Sequence, residues 1–228
     1  QMCIRDRIVT EDVVEAFAAG RQAPVPLVIG TNSAEFWRIR PAAAGAYGRT
    51  DDAMTDAEYH ALLTAYGGQD GYDAHVVSDL VFNEPARHLA RLHARAGNPT
   101  FLYRFDVVPQ SNPEPGRGAI HASERPYVFD TLDTLDALDT VGRSQGERDA
   151  RAATAMADYW TTFARAGNPN GDGRPVWPEV GPDRLLEFTH DGPVARPIPF
   201  ADRLDLIEAF YRRVQRHGCA PLVRIVPA

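Results

Sequence analysis

The sequence predicts an α/β fold, and three observations carry that expectation. Val25-Pro-Leu-Val-Ile29 is a short apolar run bounded by proline and glycine, which reads as a fully buried strand of the kind that parallel sheets use. Phe101-Leu-Tyr-Arg-Phe105 is an aromatic-rich run that comes after a helical pattern and its Gly97-Asn-Pro99 stop. Downstream, Ala152, Ala155, Met156, Tyr159, Trp160 and Phe163 form an apolar stripe at helical spacing within residues 148–166.

Taken in order, the elements justify themselves by local chemistry. Gln1 to Arg7 has neither periodicity nor turn residues leading into the next segment, and is expected to be a non-native stretch outside the fold. Residues 11–19 read as a short helix started by Asp12, striped by Val13, Ala16 and Phe17, and ended by Gly20. The strand at 25–29 comes next, and Gly30-Thr-Asn-Ser33 reads as its break. Thr55 and Glu58 make a capping box for a helix to Tyr66, with Tyr59, Leu62, Leu63 and Tyr66 on one face. Helical stretches are predicted over 72–80 and 85–96, the second carrying Ala86, Leu89, Ala90 and His93 at helical spacing. The strand at 101–105 is the next element. Residues 131–140 have Leu132, Leu135 and Leu138 at helical spacing, but their Asp and Thr content favours a loop or a turn or two of helix. After the long helix at 148–166, Gly167-Asn-Pro-Asn-Gly171 is turn chemistry and not a metal site. A strand at 185–188 and a helix near 202–215 close the pattern. With no internal repeat and no low-complexity linker, residues 8–228 read as one domain or a piece of one.

Composition narrows the function classes. Hydrophobic residues make up 44% of the 228, enough for a buried core. The net charge of -7 leaves no basic footprint for nucleic acid and little attraction to an anionic membrane surface. All 24 basic residues counted as Lys or Arg are arginine. Cys3 and Cys219 lie at opposite ends and in no metal-binding spacing. No apolar run approaches the ~18 residues of a membrane-spanning helix, so no insertion into a membrane is expected.

Two residues carry the candidate chemistry. His121 sits in Gly118-Ala-Ile-His-Ala-Ser-Glu124, a loop of small residues past the 101–105 strand. Local pattern alone fits either a satisfied core or surface histidine or a general base held in a tight turn. Glu35 lies just past the carboxyl end of the 25–29 strand, the edge of a doubly wound sheet where sites form. An acid there can fix a histidine tautomer, and an exposed loop glutamate fits the same motif. Their order, acid before base, is the order of acid and histidine in hydrolases that run Ser, Asp or Glu, His along the chain. Trp160, Trp177, Tyr159 and Phe163 are expected to pack in the core and not to form a ligand box.

Several blocks in this order resemble the type-B carboxylesterase family, the cholinesterase-like esterases, and especially its bacterial para-nitrobenzyl-esterase-like members. They are Ala16-Phe-Ala-Ala-Gly20, Val25-Pro-Leu-Val-Ile-Gly-Thr-Asn32, Gly118-Ala-Ile-His-Ala-Ser-Glu124, and Tyr159-Trp-Thr-Thr-Phe-Ala-Arg-Ala-Gly-Asn-Pro-Asn170. Pro175-Val-Trp-Pro178 and Arg203-Leu-Asp205 complete the set, and the resemblance runs from residue 10 to residue 210. It implies the C-terminal part of an α/β-hydrolase fold, a mostly parallel sheet with helices on both faces. It also implies a Gly-x-Asn-x-x-Glu acid at Glu35, a Gly-Ala-x-His-x-x-Glu base at His121, and at Glu124 an acid that helps hold the site. Many members have glycine directly after the acid, whereas this chain has Phe36-Trp37, so the loop can differ or its aromatics can line the acyl pocket.

Such esterases need a serine in a G-x-S-x-G elbow upstream of the acid, and nothing before Glu35 provides one. Gly142-Arg-Ser-Gln-Gly146 has the letters of an elbow but not its setting. The residues before it are too Asp-rich for a buried strand, and it would place the serine after the histidine. The expectation is therefore a chain that carries acid and base, lacks its nucleophile and the N-terminal half of its own domain, and is inactive alone. The complete protein is expected to hydrolyse small carboxylic esters without a cofactor or metal. The alternative is a non-catalytic cholinesterase-like binding or adhesion module.

Overall fold

The structure is a computed structural model, which describes residues 11–36, 54–109, 118–132, 146–181 and 184–216. Residues 1–7, Trp37, both cysteines, most of 131–140 and Ser144 of the elbow-like string lie outside the described residues. In chain order the elements are α1 (Val13–Ala18), β1 (Leu27–Asn32), α2 (Asp56–Ala65), α3 (Gln69–Ser78), a π-turn (Asp79–Asn83), α4 (Glu84–Arg95), β2 (Thr100–Phe105), α5 (Arg125–Val128), α6 (Glu147–Ala166), β3 (Arg184–Thr189), β4 (Gly192–Pro197) and α7 (Ala201–Arg216). They fall into two compact units, one of Gln1–Arg21, Phe36–His88 and Pro199–Ala228, the other of Gln22–Glu35 and Leu89–Ile198.

In the first unit, Asp12 caps α1 by accepting from the Val14 and Glu15 amides. The Val13, Ala16, Phe17 stripe is not buried as its periodicity suggests, and Val13 is exposed. The capping box at Thr55 and Glu58 forms, and the Glu58 carboxylate also accepts from Arg213 of α7. Leu62, Tyr66, Tyr72, Val76, Val77, Leu80 and Ile207 make the core of this unit. The two helical stretches expected at 72–80 and 85–96 meet across the π-turn. Pro85 has no N–H to donate and crowds the carbonyl four residues back, so the ladder opens into a wider turn just before it. Buried Asp79 in that turn accepts from Tyr66 Oη at 2.6 Å and from Asn83 Nδ2 at 2.6 Å.

The second unit is built on a four-stranded sheet of order β1-β2-β3-β4. β1, β2 and β3 run parallel and β4 antiparallel. β1 begins two residues later and ends three residues later than the expected 25–29 strand, and it is only half-buried over Leu27–Gly30, because it is the outermost strand of the sheet among the described residues. Gly30 continues β1 and does not break it. It stands opposite Tyr103, and a Cβ there would overlap both the Tyr103 ring and the Tyr103 carbonyl oxygen. Gly30→Ala is expected to lower stability by about 1–3 kcal/mol, the usual cost of overpacking. Adding Tyr103→Leu should restore little, since the carbonyl stays in place. Thermal midpoints of the single and double variants decide the point, and full recovery in the double variant would refute it.

β4 escapes sequence reading because Pro193 and Pro197 interrupt its alternation. Proline cannot donate to a ladder and is confined to edge strands, which is where β4 sits among the described residues. Glu187 of β3 is buried and balanced by Arg104 of β2 and by Arg196 of β4, the latter at 2.8 Å, so the buried charge is paired.

α6 runs from Glu147 and ends at Gly167 as its pattern predicts. The core beside it is aromatic. Tyr159 and Trp177 are fully buried, with Trp160 and Phe163 packed against them. Trp177 meets Phe101, Tyr103, Tyr159 and Phe188 edge-to-face, each pair adding about 0.5–1.5 kcal/mol beyond its burial. The Trp177 indole N–H donates to Leu102 O at 2.9 Å, and the Asn170 side chain brackets the Trp177 backbone on both its N–H and C=O. Asn170 is thus a turn residue holding the core tryptophan.

Candidate active site

The end of β1 sets up the site. Beyond Asn32 the chain turns, and Ala34 makes a parallel bridge with Ile120. The next residue on each side of that bridge is Glu35 and His121. One register thus brings together two residues 86 positions apart. The Ala34 amide donates to Ala119 O at 2.9 Å, and the Ala119 amide donates to Ser33 Oγ at 2.7 Å. Gly118 opens the loop with φ of 88°, and a Cβ there would lie 2.6 Å from Ser33 Oγ. Only glycine both reaches this left-handed angle without strain and lets Ser33 approach.

Glu35 Oε2 lies 2.6 Å from His121 Nδ1, and Glu35 Oε1 accepts the Asn32 amide at 2.8 Å. The Glu35 side chain is 7% exposed and that of His121 52%, so the acid lies inside and the imidazole faces outward. Burial pushes the Glu35 carboxyl above its ordinary 4.5, against the Asn32 amide and His121, which both favour the charged form; the Glu124 carboxylate adds to the rise. An ionised Glu35 accepts only, so Nδ1 must carry the proton facing it. The neutral imidazole then holds its lone pair on Nε2.

Ala122, next to the histidine, has φ of 63°, an angle that costs an L residue on the order of 1–2 kcal/mol. The Ser123 amide and hydroxyl both donate to Ile120 O, at 3.1 and 2.7 Å, and hold the turn closed over this strain. Strain held in place by its surroundings is frequent at functional turns. Past the turn, α5 buries Tyr127, whose hydroxyl is 3.4 Å from Asp149 at the start of α6.

Glu124 joins the site through Asn32. Its Oε2 accepts from Asn32 Nδ2 at 2.6 Å, and Asn32 Nδ2 also donates to Ile120 O at 2.7 Å. In sequence alone Asn32 and Ser33 read as residues that break a strand, with no further role. Their position directly before Glu35 is the one signal that could have marked them. Among the described residues, no cluster of three or more His, Cys, Asp or Glu side chains is placed to hold a metal ion, and no helix is long and apolar enough to cross a membrane.

The sequence profile of the carboxylesterase family matches residues 69–196. The chain is 33% identical over 120 residues to the medium-chain fatty acyl-CoA hydrolase precursor of Anas platyrhynchos, a match covering 49% of this chain and 20% of that protein. It is 29% identical over 184 residues to carboxylesterase 1D of Rattus norvegicus, covering 68% of this chain and 31% of that one. In three dimensions it resembles EstA of Aspergillus niger with a TM-score of 0.68 at 21% identity, over 89% of this chain and 42% of that one. The fold is the α/β-hydrolase fold, and the chain spans 20–31% of the length of these curated relatives.

Proposed function

The chain belongs to the carboxylesterase family, and from that membership we propose that Glu35 and His121 are the acid and the base of a serine carboxylesterase. The observation that carries this reading is the 2.6 Å contact between buried Glu35 and outward-facing His121, made just past the carboxyl end of β1. In this reading the nucleophilic serine and the oxyanion donors belong to the part of the relatives' length that this chain does not span.

In the complete site the serine hydroxyl attacks the ester carbonyl while His121 Nε2 takes its proton. The imidazolium formed faces Glu35, whose carboxylate stabilises it and holds the ring in place. Collapse of the tetrahedral intermediate expels the alcohol, which receives that proton from Nε2. Water, deprotonated in turn by His121, then releases the carboxylic acid and regenerates the serine. The substrate is a small carboxylic ester, and no group beyond protein side chains and backbone donors is required.

Assay of the full-length polypeptide on p-nitrophenyl esters, with labelling by a serine-directed phosphonate, tests the assignment. Turnover is expected, with the label on a serine in a G-x-S-x-G elbow upstream of Glu35. An elbow with Gly or Ala in place of that serine, together with no turnover, would make the protein a binding module instead.

A further inference from the structure

We propose that Asn32 is a positioning residue, which ties the loop of the acid to the loop of the base and so keeps His121 aligned with Glu35. This rests on the assignment of Glu35 and His121 as acid and base. Asn32 is 1% exposed and uses every donor it has within the site. Its backbone amide holds Glu35 Oε1, and its side-chain nitrogen holds both Ile120 O and Glu124 Oε2. Both side-chain partners are acceptors, so the amide nitrogen and not its oxygen must face them. Ile120 immediately precedes His121, so Asn32 grips the acid directly and the base through the peptide next to it. Glu124 is the far anchor. By holding the second hydrogen of the amide, it fixes the plane of the Asn32 side chain. Buried and fully used, such an amide has no substitute among side chains of its size: aspartate keeps the shape and loses both donors, and leucine and alanine lose the polarity altogether.

A side chain that acts through its grip on the base should change the rate of the chemical step and leave substrate binding alone. In the full-length polypeptide, Asn32→Ala is expected to lower kcat about 10- to 100-fold with KM within about twofold of the parent. Asn32→Asp should not recover the lost rate although it fills the same space. A role in packing alone would be rescued by it. Because a buried aspartate near Glu35 and Glu124 can unfold the protein, Asn32→Ser is the companion variant: one short hydroxyl donor remains, and its kcat should lie between those of Asn32→Ala and the parent. The spectroscopic signature is the His121 Nδ1 proton, expected far downfield in the parent and broadened or lost in Asn32→Ala at a temperature where both are folded.

His121→Ala is run beside these variants. An active His121→Ala protein overturns the underlying acid–base assignment. If His121→Ala is dead and Asn32→Ala keeps kcat within about twofold, the assignment stands and the role of Asn32 is refuted. A raised KM at unchanged kcat also refutes it, since that is the mark of a substrate contact.

Discussion

Replacing His121 with alanine in the full-length polypeptide is expected to lower kcat for p-nitrophenyl esters by about 10⁴-fold or more while the fold survives. The size comes from the role proposed for the residue. A serine hydroxyl is a poor nucleophile until a base removes its proton, and loss of the triad histidine leaves only the oxyanion donors and substrate binding, on the order of 10³–10⁴ over water. The fold should survive because the His121 side chain is half exposed and its backbone stays fixed by the Ala34–Ile120 bridge and the Ser123 bonds to Ile120 O. Circular dichroism and the thermal midpoint check the fold, and steady-state kinetics check the rate. Retention of parental kcat would remove His121 from the mechanism. A large loss of both rate and fold would instead mark it as a structural residue.

How far these features are legible in sequence depends on where their causes lie. The Thr55–Glu58 capping box, the α6 stripe and the Gly167 stop are written in short-range patterns, and the structure shows them where those patterns place them. β4 is also local, but its prolines mask a strand that is stable only because it lies at the edge, and edge position is a tertiary fact. Gly30 shows the same limit from the other side. In sequence a glycine after an apolar run ends a strand, whereas here it continues one because Tyr103, 73 residues later, needs the room.

The site divides in the same way. Glu35 and His121 can be picked out because each lies past a strand-like run, and because acid precedes base in the order this chemistry uses. That they touch is set by the register of Ala34 against Ile120, which no local pattern encodes. Asn32 is invisible as a functional candidate for a related reason. An asparagine at the end of an apolar run has an ordinary local explanation as turn chemistry, and its partners, Ile120 and Glu124, are 88 and 92 residues away. Residues whose role is to hold two distant loops together look bland until both loops are in place.

Glu35→Gln is expected to separate the two costs of placing a buried acid here. Glutamine has nearly the same shape, and its oxygen can still accept the Asn32 amide. Its nitrogen then faces His121 and donates, so Nδ1 becomes the acceptor and the imidazole proton moves to Nε2. That tautomer cannot deprotonate a serine, and kcat should fall by about 10³- to 10⁴-fold with the geometry intact. Stability should move the other way as pH rises. Burial raises the Glu35 carboxyl above its ordinary 4.5 in the folded protein, so the folded state holds this proton more tightly than the unfolded state. Stability from this group therefore falls as pH climbs from the unfolded value through the folded one, and glutamine has no proton to lose. Chemical denaturation of parent and variant at pH 4 and at pH 8 checks the effect. The variant should gain on the parent between the two pH values. A constant difference would mean that burial and the Asn32 and His121 partners cancel at Glu35, and a parent that gains as pH rises would mean that the partners favour the charged form more than burial penalises it. The loss of rate at pH 8 would then be all that remained to mark Glu35 as the residue that orients the base.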